Sequence, residues 1–195
     1  MPHIAQHGVN QSSLEMTDIE FLDPTPDSVT LTQKAILHSP SIYTPTLDSF
    51  SASLWLVTNG TFASVPMANI TMPKIHALHP ESNASVIGQT VQILNLDQIT
   101  EYATQVLSLK NVSTALTGRT NLHEGHFPTV NVNYNTTTTY AGLNGLAGFN
   151  VTGAKVNLSA LVGEPNLSGF AYIPNPTVLT VAMVNFLLSL FSEIC

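Results

Sequence analysis

The chain has 195 residues and a formal net charge of −7, from five basic and twelve acidic side chains. So few and scattered cations cannot form a phosphate-binding surface, which argues against a nucleic-acid partner. The single cysteine, Cys195, excludes an intrachain disulfide and a cysteine-based zinc site, and the length indicates one domain.

The N-terminal segment 1–11 lacks the basic region and apolar run of a signal peptide, and we expect it to be disordered. A single domain is predicted over residues 12–184. An atypical apolar tail follows over residues 185–195. The apolar stretch 177–191 is shorter than the roughly 18 residues that a membrane-spanning helix needs.

An alternation of apolar and polar residues with a period of two dominates the chain and predicts β-strands. It is clear at residues 50–57, after which Asn59 and Gly60 predict a hairpin turn and residues 61–66 a short return strand. In the strand predicted at residues 85–94, Ile87 is expected on the buried face. Alternating patterns predict further strands at residues 85–94, 112–122, 130–140, 149–161 and 167–173.

One segment, at about residues 97–109, has the spacing of an amphipathic helix instead. Its apolar residues recur three and four positions apart, and Asp97 is expected to cap the first turn. One helix within a series of strands predicts a mainly β fold, an antiparallel β-sandwich with one packed α-helix.

Asparagine sequons are frequent and indicate a compartment. Chance predicts roughly three N-x-Ser/Thr sequons for this composition, and where the pattern alternates the asparagine usually falls on the polar side. We therefore expect N-glycans and a location in the secretory pathway, with a signal or anchor outside this chain, unless the sequons are unused. The nine sequon asparagines are Asn10, Asn59, Asn69, Asn83, Asn111, Asn135, Asn150, Asn157 and Asn166.

Catalytic signatures are not found: the sequence contains no nucleophile elbow, phosphate-binding loop or metalloprotease motif. Two imidazoles and a carboxylate, His123, Glu124 and His126, are a remote alternative as a metal site, as are His76 and His79. A solvated turn is the simpler interpretation. We predict that the chain is not an enzyme and needs no cofactor.

Several stretches, among them residues 142–146 and 173–176, carry short distinctive motifs. Together they resemble an uncharacterised fungal domain family of vacuolar-membrane and secretory proteins. The most specific are a Gly-Leu-Asn-Gly-Leu block and an Ile-Pro-Asn-Pro block, and the resemblance departs after about residue 184. That family is similar to the late-embryogenesis-abundant type 2 domain, also called the water-stress and hypersensitive-response domain. The stretches are residues 43–50, 52–54, 91–93, 118–120, 142–152 and 173–180.

The resemblance implies an immunoglobulin-like β-sandwich with a helix, on the lumenal side of the vacuolar membrane in an anchored protein. It also implies an apolar groove and lipid binding or transfer, and it assigns no catalytic residue. A structural or stress-protective glycoprotein domain without a ligand is the alternative. The groove is expected between sheet and helix, lined by Phe50, Leu54, Leu56, Ile99, Tyr102, Ala103, Val106 and Leu107.

Overall fold

A computed structural model of the chain describes residues 2–157, 159 and 167–180. It confirms the mainly β fold with its packed helix and adds a second helix at the N-terminus. In chain order the elements are α1 (Pro2–Gln11), β1 (Ser13–Leu22), β2 (Ser28–His38), β3 (Thr46–Leu47), β4 (Phe50–Val57), β5 (Ala68–Met72), β6 (Ile75–His76), β7 (Glu81–Asn83), β8 (Val86–Gln92), α2 (Leu96–Ser108), β9 (Asn111–His123), β10 (Val130–Ala141), β11 (Asn150–Val156), β12 (Leu167–Tyr172) and β13 (Leu179–Thr180).

The strands form two large sheets and a separate hairpin. In one sheet the order is β13-β1-β2-β7, and β8 pairs with the other half of β2. In the second sheet the order is β5-β4-β9-β3-β6, with β10 on the other side of β9. The hairpin consists of β11 and β12. All pairs are antiparallel except β1 with β13, which is parallel and departs from the predicted pattern.

The hydrophobic core lies between the two large sheets and is continuous from one to the other. Strand β10 shows how the alternation builds it, since Val132 and Tyr134 are buried while Asn131 and Asn133 face outward. A strand that is half buried is expected to alternate in this way. The period-two prediction is therefore confirmed along β10.

The predicted turn after β4 forms, but the predicted return strand does not. Thr58 and Thr61 exchange two backbone hydrogen bonds of 2.9 and 3.1 Å, so the loop between them has two residues. Asn59 and Gly60 adopt φ angles of 52° and 77°, which these residue types tolerate. Pairing with β4 resumes only at β5, so the strand predicted at residues 61–66 is wrong.

The buried face of β8 also differs from the prediction. Ile87 is 66% exposed, whereas the neighbouring Val86 is buried. Gly88 has a φ of 60°, a conformation that interrupts the pleat. The register with β2 shifts at the same level, between Leu31 and Gln33. A single glycine has therefore moved the apolar alternation by one residue.

Helix α2 lies close to its predicted position but has a different cap. The side chain of Asn95 accepts a hydrogen bond from the Gln98 backbone N–H at 3.2 Å, and Asp97 lies inside the first turn. Tyr102 and Val106 face the core. Within the described residues, no helix is long and apolar enough to cross a bilayer.

The glycine-rich segment 142–148 closes the carbonyl end of α2. The backbone N–H groups of Leu143 and Gly145 donate to carbonyl oxygens of the last turn of α2 at 2.7 and 2.8 Å. Gly142 lies so close to the carbonyl oxygen of Leu109 that a Cβ atom has no room there. The segment is thus a cap for the helix end, whose carbonyl groups otherwise lack partners.

The Ile-Pro-Asn-Pro block shapes the approach to β13. The side-chain oxygen of Asn175 accepts a hydrogen bond from the Thr177 backbone N–H at 3.1 Å. Its amide nitrogen donates to the carbonyl oxygen of Leu179 at 2.8 Å. These bonds form a turn of the kind asparagine favours, which places β13 beside β1.

Helix α1 corrects the prediction that the N-terminal segment is disordered. Pro2 occupies the first helical position, which suits its fixed φ, and Ala5 and Val9 pack against the core. The Gln6 side-chain amide donates to the carbonyl oxygen of Asn133 and accepts from its N–H, both at 2.8 Å. The helix is thus fastened to the outer edge of β10 by contacts distant in sequence, which local propensity does not report.

Candidate ligand-binding pocket

A cavity of about 350 Å³, called here the α1 pocket, opens at the end of the sandwich that α1 covers. Helix α1 forms one wall, residues 39–47 a second, and residues 122–130 a third. Leu37 and Tyr134 contribute from the sheets. The volume lies within the range of roughly 300–1,000 Å³ that is usual for small-molecule sites.

The lining of the α1 pocket is largely apolar, and its mouth is apolar as well. Ile4, Tyr43 and Phe127 line the pocket and are 68%, 57% and 54% exposed. They come from three separate segments and converge only in the fold. Exposed apolar side chains grouped around a cavity are a feature of binding sites rather than of ordinary surface.

Several polar groups of the lining are already engaged within the protein. The Ser12 hydroxyl donates to the carbonyl oxygen of Val9 at 2.7 Å. The Ser41 hydroxyl oxygen accepts from the Tyr43 backbone N–H at 3.1 Å. Each of these two hydroxyls therefore already uses part of its hydrogen-bonding capacity within the protein.

Two buried polar atoms of the lining lack a hydrogen-bond partner in the described part of the chain. They are the Oε2 atom of Glu124 and the hydroxyl of Tyr134. A buried polar atom without a partner costs on the order of 1–3 kcal/mol. Such atoms are rare in folded proteins. Neither atom has surface open to the cavity, so each could bond to a ligand only after its side chain moves.

Tyr134 lies on the inner face of β10 and is almost completely buried. Its ring is 5.6 Å from that of Phe50, centroid to centroid. Burial raises the pKa of Tyr134 to about 12, because the phenolate is poorly solvated there. At neutral pH the hydroxyl therefore keeps its proton and remains an uncharged donor.

The groove predicted beside α2 is not formed by the predicted residues. Phe50, Leu56, Tyr102 and Val106 are buried in the closed core. Ala103 and Leu107 are exposed and so do not line a groove either. The expected site residues and the α1 pocket therefore lie at different ends of the sandwich.

A small crevice lies near α2 among the described residues. Leu54 and Ile99 are half-buried and line it together with Tyr102, and its volume is about 30 Å³. That space holds roughly one water molecule. The Tyr140 hydroxyl donates to that of Tyr102 at 2.9 Å across this region and helps to close it.

Two of the four histidines considered as metal ligands, His123 and His79, are engaged in separate contacts. His123 bonds to Asp48 at 2.8 Å, and Thr129 lies 3.1 Å from its other ring nitrogen. The hydrogen bond from His123 lowers the pKa of Asp48. His79 contacts the carbonyl oxygen of Ser39 at 3.0 Å. Across the described residues, no three potential metal-ligating side chains come together.

The sequon asparagines that the structure describes are all exposed: Asn10, Asn59, Asn69, Asn83, Asn111, Asn135, Asn150 and Asn157. A glycan must project into water, so these positions are sterically suited to modification. Asn166, Cys195 and the apolar tail 185–195 lie outside the described residues.

The α1 pocket was not predicted, because its walls come from segments far apart in the chain. The sequence signals that exist are weak. Ala5 and Val9 have helical spacing, and Pro2 suits a helix start. For residues 123–126, the sequence favours a solvated turn. The structure has an exposed turn there, and the half-buried Glu124 also lines the α1 pocket.

Together, the fold and the pocket define a β-sandwich domain with an apolar cavity beneath an N-terminal helix. Residues 65–190 match a protein family described as proteins of unknown function, DUF3712, and the chain belongs to this family. The matched region begins after β4, so α1 lies outside it while β9 and β10 lie within it. No curated protein matches the sequence.

Two solved structures show remote similarity. The crystal structure of a protein from Archaeoglobus fulgidus is 11% identical, covers 66% of this chain and 97% of its own, and gives a TM-score of 0.33. The solution structure of a protein from Arabidopsis thaliana is 12% identical, covers 66% and 80%, and gives a TM-score of 0.34. Similarity at this level carries no argument about function.

Proposed function

We propose that this domain is a non-enzymatic binding domain that holds a small apolar molecule, such as a lipid, in the α1 pocket. The observation that carries the proposal is the apolar cavity of about 350 Å³. A monomeric domain gains stability by filling its core, so an open apolar cavity of this size is unfavourable unless something occupies it.

The pocket's mouth supports the same function. Apolar side chains around the opening, including Ile4 and Phe127, offer a path along which an apolar ligand leaves a membrane without crossing water. We therefore propose a lipid or a membrane surface as the partner. The proposed ligand site is therefore the α1 pocket and not the groove that the sequence predicted beside α2.

We further propose that the domain works on the lumenal side of a fungal vacuolar or secretory membrane, as the resemblance to the late-embryogenesis-abundant type 2 domain implies. The exposed sequon asparagines support an N-glycosylated protein. Metal-dependent chemistry through the histidines remains the least supported possibility, because His123 is engaged by Asp48.

The second candidate function is a structural or stress-protective glycoprotein domain without a ligand. The specific observation in its favour is the surface chemistry. Only 9% of residues are charged, so neutral hydroxyl and amide groups dominate the polar surface. Such a domain leaves the α1 pocket unoccupied during its function.

Native mass spectrometry of the deglycosylated protein, purified from a fungal host, separates the two candidates. The binding function predicts a fixed additional mass from a carried ligand. Ala5→Phe places a ring in the pocket and should raise the dissociation constant of the ligand by about tenfold, equivalent to roughly 1.4 kcal/mol, and so lower the occupied fraction. If the protein without a substitution carries no additional mass, that result contradicts the binding function.

The matched control is His3→Phe. His3 is exposed on the same helix and does not line the pocket. It introduces the same ring without filling the cavity, so the carried mass should persist. Equal loss in both variants would mean that a phenylalanine merely disturbs α1, and thermal unfolding of each variant checks that the fold is retained.

A further inference from the structure

The polar chemistry of the α1 pocket selects among apolar ligands. We infer that it takes an apolar molecule whose single polar head donates hydrogen bonds, an amine or an alcohol, rather than a fatty acid. This inference rests on the proposed function and names its ligand class. It is carried by Glu124, the carboxylate of a largely apolar lining in which the described residues include no lysine or arginine.

The backbone of Glu124 is held in a turn. The Phe127 N–H donates to the carbonyl oxygen of Glu124 at 3.0 Å, which closes the turn between β9 and β10. Gly125 adopts a φ of 49° inside this turn. The side chain is half-buried and extends from a short, hydrogen-bonded turn that lines the pocket.

An ionised carboxylate oxygen accepts hydrogen bonds and cannot donate them. A ligand N–H or O–H group beside the Glu124 carboxylate can therefore bond to it, whereas a ligand carboxylate cannot. A protonated amine adds the charge attraction that makes such bonds about twice as strong as neutral ones. The head group of the ligand is therefore expected beside Glu124.

The rest of the lining argues against an anionic head. None of the residues that line the described pocket is lysine or arginine. His7 lines it but is exposed to water. A ligand carboxylate would meet the Glu124 carboxylate in a site of low polarity without a compensating cation, which is strongly unfavourable. The Tyr134 hydroxyl is neutral and does not change this balance.

The test is displacement of a neutral fluorescent probe, N-phenyl-naphthylamine, by dodecylamine, dodecanol and dodecanoate. The net charge of −7 attracts cations at long range, so the titrations use about 0.15 M salt to screen it. We expect dodecylamine to bind most tightly and dodecanoate about tenfold or more weakly.

Glu124→Gln keeps the shape of the side chain and removes its charge. It should weaken dodecylamine by about tenfold and change dodecanol by no more than about threefold. The control is Glu20→Gln on β1, which removes the same charge outside the pocket lining and should keep the amine preference. Glu124→Ala provides a second variant, and thermal unfolding confirms that each one folds.

The outcomes separate the inference from the proposed function. Displacement by all three probes with similar affinity, or most tightly by dodecanoate, overturns the inference but leaves a binding pocket. An amine preference that survives in both Glu124 variants also overturns it. If the fluorescent probe itself does not bind, or none of the three displaces it, the proposed function fails first.

Discussion

Asp18 links three strands of one sheet through its two carboxylate oxygens. One oxygen accepts from the Lys34 ammonium at 2.8 Å and the other from the Thr180 hydroxyl at 3.0 Å. Lys34 lies on β2 and Thr180 on β13, so the carboxylate fastens both neighbours of β1. The hydrogen bond from Lys34, followed by that from Thr180, lowers the pKa of Asp18.

The lowered pKa of Asp18 predicts that its contribution to the stability of the fold depends on pH. The stabilisation by Asp18 is present above its ordinary pKa of 3.8 and is lost as the pH falls through the lower value in the folded protein. Asp18→Asn should therefore lower the free energy of unfolding at pH 7, and the difference should shrink below about pH 4. Urea unfolding across a pH series measures it.

Asp27→Asn is the control for this measurement. Asp27 is exposed in the loop between β1 and β2, and its side chain makes no hydrogen bond to the described residues. It should show almost no change at any pH. A loss at Asp18 that stays constant down to pH 2 would attribute the effect to packing and not to charge.

At the scale of single elements, the glycine-rich segment is the cap of α2. Gly142→Ala places a methyl group against the Leu109 carbonyl oxygen, so the segment must move away from the helix end. We expect a loss of about 2 kcal/mol or more in the free energy of unfolding, measured by urea denaturation. Circular dichroism should also show a shorter α2.

Gly8→Ala in α1 is the matched control, because nothing lies within 4 Å of the position of its Cβ. The same chemical change should be neutral there or stabilise by about 0.5–1 kcal/mol, since alanine favours a helix. If both variants lose equal stability, the close approach at Gly142 is not the cause.

Elements differ in how far the sequence predicts them. The strands β4, β9 and β10 follow from alternation, and α2 from its apolar spacing, because those patterns are local. The exposure of Ile87 does not follow from the alternation, because Gly88 adopts a positive φ and shifts the pleat. Helix α1 does not either, because Gln6 fastens it to Asn133 across a sequence separation of 127 residues.

At the scale of the whole molecule, the sequons make a compartment prediction. The eight described sequon asparagines are exposed on strands, turns and α1. Glycosidase treatment of the natively expressed protein should lower its mass by several glycans if the domain matures in the secretory pathway. A mass that does not change would remove the main support for the lumenal location.

A parallel preparation from a bacterial cytoplasm is the reference for that comparison, since it lacks the glycans.

The α1 pocket is a feature of the whole molecule and could not be predicted from any one segment. Its walls join residues 4–12, 37–47 and 122–134 only after both sheets have paired. Neither alternation nor helical spacing describes a space that is left between elements.

Gln6 has a consequence for self-association. Its side-chain amide bonds to the backbone N–H and carbonyl groups of Asn133 at the outer edge of β10. An exposed strand edge with unpaired backbone groups can pair with a strand of another copy of the protein. The same helix walls the cavity. If α1 detached, the chain would therefore lose one wall of the pocket and expose an unpaired strand edge at the same time. Ligand release and aggregation would then be coupled.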